Sequence, residues 1–245
     1  MFYMKSFAVI ALGTFAFTCS ILAADQPLAA ADTNLPAPVQ VDVRTVLNAR
    51  VVTTYTGGKV VPLSIDIDGA GGVATAAASA QLPGNNPHTV PDDGHFPANA
   101  DHPDVVLNFT NADGTSDQVR RSPHEDDYFF DVPPRNYSKM FLFLTSGAAG
   151  PAAIRVVLTY QDGSGEERNI VCPDWWTNLD GTNPDVIYLA SNLAKFGKTR
   201  ILEKDHHNIF GIDVHPDPTR MLSRIEISKT NRIVVFWGAT GQPTR

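Results

Sequence analysis

Cysteine is nearly missing from this 245-residue chain, which holds only Cys19 and Cys172. Cys19 falls inside an N-terminal leader pattern, so Cys172 has no intramolecular partner and no disulfide framework is expected. A hydrophobic core must hold the fold instead, and a chain of this length can supply one. Cys172 closes an apolar strand pattern just before Pro173, which reads as a small buried hydrophobe and not as a nucleophile. Positive charge is also scarce, with 19 Lys and Arg against 26 Asp and Glu. Arg120-Arg121 is the densest basic pair, so nothing suits a nucleic-acid backbone and no nucleic-acid partner is expected. After Ala24 no apolar run approaches the roughly 20 residues of a transmembrane helix, so no membrane span is expected. The G-x-S-x-G elbow of a serine hydrolase is missing, and there is no internal repeat. Only residues 191–204 could hold a helix of useful length, and Gly197 weakens it.

The chain begins MFYMKSFAVIALGTFAFTCSILAADQP. One lysine, an apolar run and the small pair Ala23-Ala24 predict a secretory signal peptide over residues 1–24, and hence an extracellular or periplasmic location. Ala16-Phe17-Thr18 before Cys19 is a poor lipidation box. Loss of Lys5 with the leader takes the formal charge from −7 to −8. Residues 25–38 are Ala- and Pro-rich, a flexible lead-in. Residues 39–245 are expected to form a single β domain.

From Val39 the pattern changes to short strands. Val39, Val41 and Val43 alternate with polar residues, and Val51–Tyr55 and Val60–Leu63 flank Thr56-Gly57-Gly58-Lys59, a hairpin signal. Residues 69–104, rich in Gly, Ala, Pro and Asn, read as a long irregular segment, functional or packed as a loop structure of its own. Further strands are expected at 105–109, 128–132, 139–145, 153–160, 168–172, 185–190, 209–214, 222–228 and 232–237. Gln161-Asp162-Gly163-Ser164-Gly165 supplies a turn between two of them. Many strands and hardly any helix predict an all-β, two-sheet antiparallel sandwich or a barrel.

Several constellations are chemically suggestive. Trp175 and Trp176 are consecutive, so in an extended chain they face opposite ways. At most one fills the core; the other covers a loop, meets solvent or stacks on a ligand ring. Pro91-Asp92-Asp93-Gly94-His95-Phe96-Pro97, followed by Asp101-His102-Pro103-Asp104, mixes carboxylate, imidazole and aromatic groups. These could bind hydroxyls or a metal, or could simply form Asx turns. Asp66-Ile67-Asp68-Gly69 and the run from Asn111 to Asp117 offer alternating oxygen ligands, though without the bidentate glutamate of an EF-hand. For acid–base chemistry the candidates are His124-Glu125-Asp126-Asp127 and Lys204-Asp205-His206-His207, which read equally as solvated loop rims.

One family resemblance gathers these pieces. The run from Phe130 to Thr145, FDVPPRNYSKMFLFLT, is similar to the "LP.GRY..LHLL.TA" stretch of galactose-binding-like jelly rolls attached to bacterial glycoside hydrolases. Val157–Gly163 resembles their "V.Y.DGT" hairpin, and Pro173-Asp174-Trp175-Trp176 their "DW" strand end. Asp93–Ala98 resembles their "DG...(F/Y)PA" loop, and Asp217–Ile227 their closing "DP.K.L.SI.LP" strand. The likeness spans about residues 60 to 240 in order. It implies a jelly-roll sandwich serving as a non-catalytic, carbohydrate-binding module, in a family that often carries structural calcium, with no ligand residues assignable here. The binding residues expected on this reading are Trp175, Trp176, Asp92, Asp93 and His95. A structural or adhesion module binding protein through a sheet face is the second reading, and a small glycoside hydrolase the third.

Overall fold

A computed structural model describes residues 36–123, 125–147, 150–228 and 231–245. The signal peptide expected at 1–24 and most of the lead-in fall outside them. The N-terminal half is built of short pieces: β1 (Val39–Gln40), β2 (Val52–Thr56), β3 (Lys59–Val61), β4 (Val73–Ala74), the one-turn helix α1 (Ala76–Ser79), β5 (His95–Phe96), β6 (Val105–Val106) and β7 (Arg120–Ser122). Long strands follow: β8 (Tyr128–Arg135), β9 (Tyr137–Ser146), β10 (Ala152–Tyr160), β11 (Gly165–Cys172), β12 (Val186–Phe196), β13 (Ile201–Asp213), β14 (Leu222–Ser228) and β15 (Val234–Pro243).

Two antiparallel sheets dominate, as the sandwich expectation requires. One runs β1-β15-β9-β13-β12, with β7 also on β15; the other runs β11-β10-β14-β8. The chain steps from one sheet to the other between β8 and β9. That corner is fastened where the Tyr137 hydroxyl donates to the Pro133 carbonyl at 2.7 Å. The predicted hairpin pairs β10 with β11 from Ala152↔Cys172 to Thr159↔Gly165. Its turn is capped by Asp162, whose Oδ1 accepts from the Ser164 N–H, and Gly163 supplies φ +81°.

The larger sheet is covered on both faces, and its sequence says why. Met140, Leu142 and Leu144 point into the cluster shared with Phe130, Ile154, Val156, Leu158 and Ile225 of the opposite sheet. Phe141 and Phe143 point the other way, into a second cluster with Val51, Val73, Val105, Leu107 and Trp175. The same split divides Val234 and Phe236 from Val235 and Trp237. Continuous apolar runs such as MFLFL and VVFW are what a strand buried on both sides needs.

The second cover is the segment 49–119, which includes the irregular stretch 69–104. It packs as a loop layer with its own small pairings, β2 between β3 and β4, and β5 with β6. Backbones approach closely here: a Cβ on Gly72 would stand 2.1 Å from the Val51 carbonyl oxygen. The helix considered for 191–204 is not formed; those residues are the facing halves of β12 and β13. Leu193 and Phe196 are both buried, under the loop layer, and four register shifts let the long hairpin bend around it. Burial of those apolar side chains against β2 and β4 outweighs a modest helix propensity.

Candidate functional site

After β11 the chain leaves the sheet at Pro173 and makes a tight turn. Asp174 builds it: Oδ1 accepts from the Trp176 N–H at 2.9 Å and Oδ2 from the Gly150 N–H at 2.7 Å. The turn sends the two indoles to different environments. Trp175 is 4% exposed and belongs to the core under the loop layer, whereas Trp176 is 50% exposed.

Behind the turn stands a buried asparagine. The Asn208 N–H donates to the Trp175 carbonyl at 2.7 Å, and its side-chain amide reaches the carbonyls of Trp175, Thr177 and His206 at 3.0 to 3.1 Å. Its Oδ1 accepts from the Asn192 N–H at 3.0 Å. Asn192 and His206 both have positive φ, +57° and +81°, at the irregular point of the β12–β13 hairpin. Their neighbouring strand residues Asp205 and His207 thereby keep their places while His206 turns outward.

The aromatic rings form a ladder from core to solvent. His207, fully buried, lies 4.0 Å from Trp175 and 4.9 Å edge-on from Trp176; His206 stacks on Trp176 at 5.3 Å with an 11° interplanar angle. The His207 Nδ1 faces the Asp205 and Leu193 carbonyls at 3.1 and 3.3 Å, which fixes its proton on Nδ1. Its Nε2 has no hydrogen-bond partner and faces Glu203 Oε2 at 3.7 Å. Burial pushes the His207 pKa down, against a smaller upward pull from Glu203. Lys195 closes the base of the ladder, 2.8 Å from Glu203 and 3.0 Å from Asp68, with its ammonium 5.8 Å from the Trp175 ring.

Next to this ladder runs an open groove of about 530 Å³, with residues 83–88 on one wall and Ile201, Leu202, Lys204 and Asp205 on the other. It is tied to the ladder through Asn192, whose side-chain amide meets His88 Nδ1 at 3.1 Å and whose Oδ1 accepts from the His206 N–H at 3.3 Å. Asp205 is itself paired with His206.

The other expected binding residues lie elsewhere and have local partners. Asp92 Oδ1 accepts from the Ala77 N–H in α1 at 2.9 Å. Asp93 makes an Asx turn to the His95 N–H at 3.0 Å, where Gly94 is held at φ +71°. His95 Nε2 lies 2.7 Å from Asp104 Oδ1, which raises the His95 pKa. Among the described residues no hydrogen bond, ion pair or ring contact joins Asp92, Asp93 or His95 to either tryptophan. Asp93 instead borders a separate open hollow of about 610 Å³ with Phe109, Asp113 and Asp117.

The loops read as calcium candidates are also satisfied locally. Asp113 Oδ1 accepts from the backbone N–H groups of Thr115 and Ser116, which, with their side chains, hold its carboxyl far below the usual range. Asp68 accepts from Ala70 and Gly71 and pairs with Lys195. Among the described residues no group of three or more His, Cys, Asp or Glu is arranged to hold a metal ion. Of the acid–base candidates, His124 lies outside the described residues, and Asp126 is gripped by Arg120 through two hydrogen bonds of 2.8 and 2.7 Å. Cys172 is fully buried, and burial pushes its thiol far above the ordinary range.

No known family model matches this chain, and neither does any curated protein. The fold is an all-β sandwich, and no helix among the described residues is long and apolar enough to cross a membrane.

Proposed function

We propose that this chain is a secreted, non-catalytic carbohydrate-recognition module of the galactose-binding-like jelly-roll kind, with Trp176 as its stacking platform. One observation carries the reading: a half-exposed indole, packed against His206 and His207, with a groove of hydrogen-bonding groups linked to it through Asp205, the partner of His206. The C–H face of a pyranose stacks on such a ring, and a rigid aromatic costs little entropy on binding. Asn85, His88, Lys204 and Asp205 of the groove supply donors and acceptors for hydroxyls. Asp92, Asp93 and His95 have no place in this site as drawn. A groove of this size suits more than one sugar ring.

The two other readings find less support. The outward side of the smaller sheet carries ion pairs, Arg155 with Glu167 and Glu226, and Arg224 with Asp131, rather than a broad apolar patch. For a hydrolase, Glu203 is engaged by Lys195 and Asp205 by His206, so neither is a free acid–base group.

The test is a glycan array on residues 25–245, repeated with a chelator and with Trp176→Ala. Selective binding that Trp176→Ala abolishes supports the reading. Silence of folded protein on every glycan, or full binding by the folded variant, overturns it.

A further inference from the structure

A second candidate site lies between the edges of the two main sheets and is independent of the carbohydrate reading. β11 is the free edge of one sheet and β12 of the other. Between them, and under the end of β13, is a cavity of about 320 Å³. Its apolar wall is Ile170, Val186, Ile212 and Val214; Asp185, Asp213 and His215 face it from the polar side.

Asp213 is the unusual member. Its side chain is 3% exposed, and Oδ1 accepts from the N–H groups of Met140 at 3.1 Å and His215 at 3.0 Å. The other oxygen, Oδ2, is buried without a hydrogen-bond partner. His215 sits across it, with Nε2 2.8 Å from Asp185 Oδ1 and Nδ1 3.5 Å from Asp213 Oδ2. The backbone of His215 is in the left-handed region, at φ +46°. At 2.8 Å the imidazole is engaged with Asp185, whereas 3.5 Å is too long for a good hydrogen bond to Asp213 Oδ2, which stays unpartnered. Arg168 also borders the cavity, but its guanidinium is taken by Glu166 at 2.6 Å, and Glu166 is shared with Arg220. Two carboxylates therefore face one imidazole, and an uncompensated buried carboxylate is costly.

We propose that this cavity binds a primary ammonium group carried on a short alkyl chain. Its three donors answer Asp185 and the free oxygen of Asp213, with the imidazole displaced outward, and the chain rests on the apolar wall. A bare metal ion suits the place less well, because Asp185, Asp213 and His215 are not arranged to hold one, nor is any other such group among the described residues. A neutral alcohol brings a donor but no charge to compensate the carboxylates.

Isothermal titration of the full chain near neutral pH with n-butylammonium, and with n-butanol as the uncharged match, tests this. Saturable heat is expected for the amine only. Asp213→Asn keeps the acceptor for the Met140 and His215 N–H groups, and is expected to bind the amine about tenfold or more weakly, as loss of one charge-assisted hydrogen bond requires. Asp185→Asn, at a partly exposed position, provides the same reading if Asp213→Asn does not fold. Tighter binding of Nα-acetyl-lysine amide than of butylammonium would identify a lysine side chain of a partner as the ligand; the reverse order would identify a free amine. Equal binding of amine and alcohol, no heat from folded protein, or unchanged affinity in the folded Asn variants would overturn the proposal.

Discussion

Asn208 is the residue whose removal tests most directly how the Trp176 platform is held. Its side chain serves the carbonyls of Trp175, Thr177 and His206 and the N–H of Asn192, all near 3.0 Å, at a position 1% exposed. Asn208→Ala leaves the Asn192 N–H and at least two of those carbonyls without a partner. Each orphaned buried group costs about 1–3 kcal/mol, but the Thr177 and His206 carbonyls lie near the surface and regain water, so a net loss of about 3 kcal/mol is expected. With a urea slope of about 2 kcal/mol/M, the midpoint falls by about 1.5 M at unchanged slope. Intrinsic fluorescence should shift as well, because the turn carrying Trp176 loses its anchor. Asn208→Asp is expected to be worse, since it sets a carboxylate against three carbonyls. A midpoint loss under about 0.3 M, worth roughly 0.6 kcal/mol on the same slope, together with unaltered tryptophan emission, would refute this account of the turn.

Four further expectations follow from the same structure. Gly72→Ala should destabilise by more than the ordinary 1 kcal/mol or so of a point mutation, because its Cβ meets backbone and not a movable side chain; a urea midpoint within error of wild type would contradict this. Tyr137→Phe should cost about 1 kcal/mol, the net worth of its hydrogen bond to Pro133, read as a small drop in thermal midpoint. His207 has a folded pKa below 6.5, so below that pH the unfolded chain binds a proton the folded chain refuses, and stability falls on acidification by at most about 1.4 kcal/mol per pH unit. His95 acts in the opposite sense: its raised pKa gives stability that is present below pH 6.5 and fades as pH rises through the folded value. Unfolding between pH 5 and 8 in His207→Gln and His95→Gln separates the two, and an acid slope that survives His207→Gln would show that another group is responsible.

The strands of the second half were legible because burial on both faces leaves an apolar run that few other structures could use. MFLFL and VVFW announce themselves, and Gly163 marks the turn between β10 and β11. The 186–213 hairpin was not legible over its middle. Residues 191–204 carry Asn192, Lys195 and Gly197 among apolar residues in no clean period, and repeated register shifts break the alternation that would reveal two strands. What makes these residues strand is the loop layer that Leu193, Ala194 and Phe196 pack against, a partner some hundred residues away in sequence. Only distant contacts decide such a segment, and local pattern is silent about them.

The candidate site divides along the same line. That two adjacent tryptophans face different ways follows from chain geometry alone, and an Asp two residues before Trp176 is a turn signal of the Asx kind. The polar companions could not be chosen that way. Asp92, Asp93 and His95 stand out in the sequence because turns concentrate Asp, Gly and His, yet each is consumed in holding its own loop. The rings against Trp176 are instead His206, placed by a positive φ, and the buried His207, while Asn192 of the hairpin ties His206 to His88 of the loop layer. Asn at a left-handed position is a faint signal, since Asn tolerates that region better than most residues. His206 gives none: a histidine pair in a strand predicts alternating faces, not a stacked partner for an indole. A dense polar motif therefore marks a stable loop as readily as a binding site.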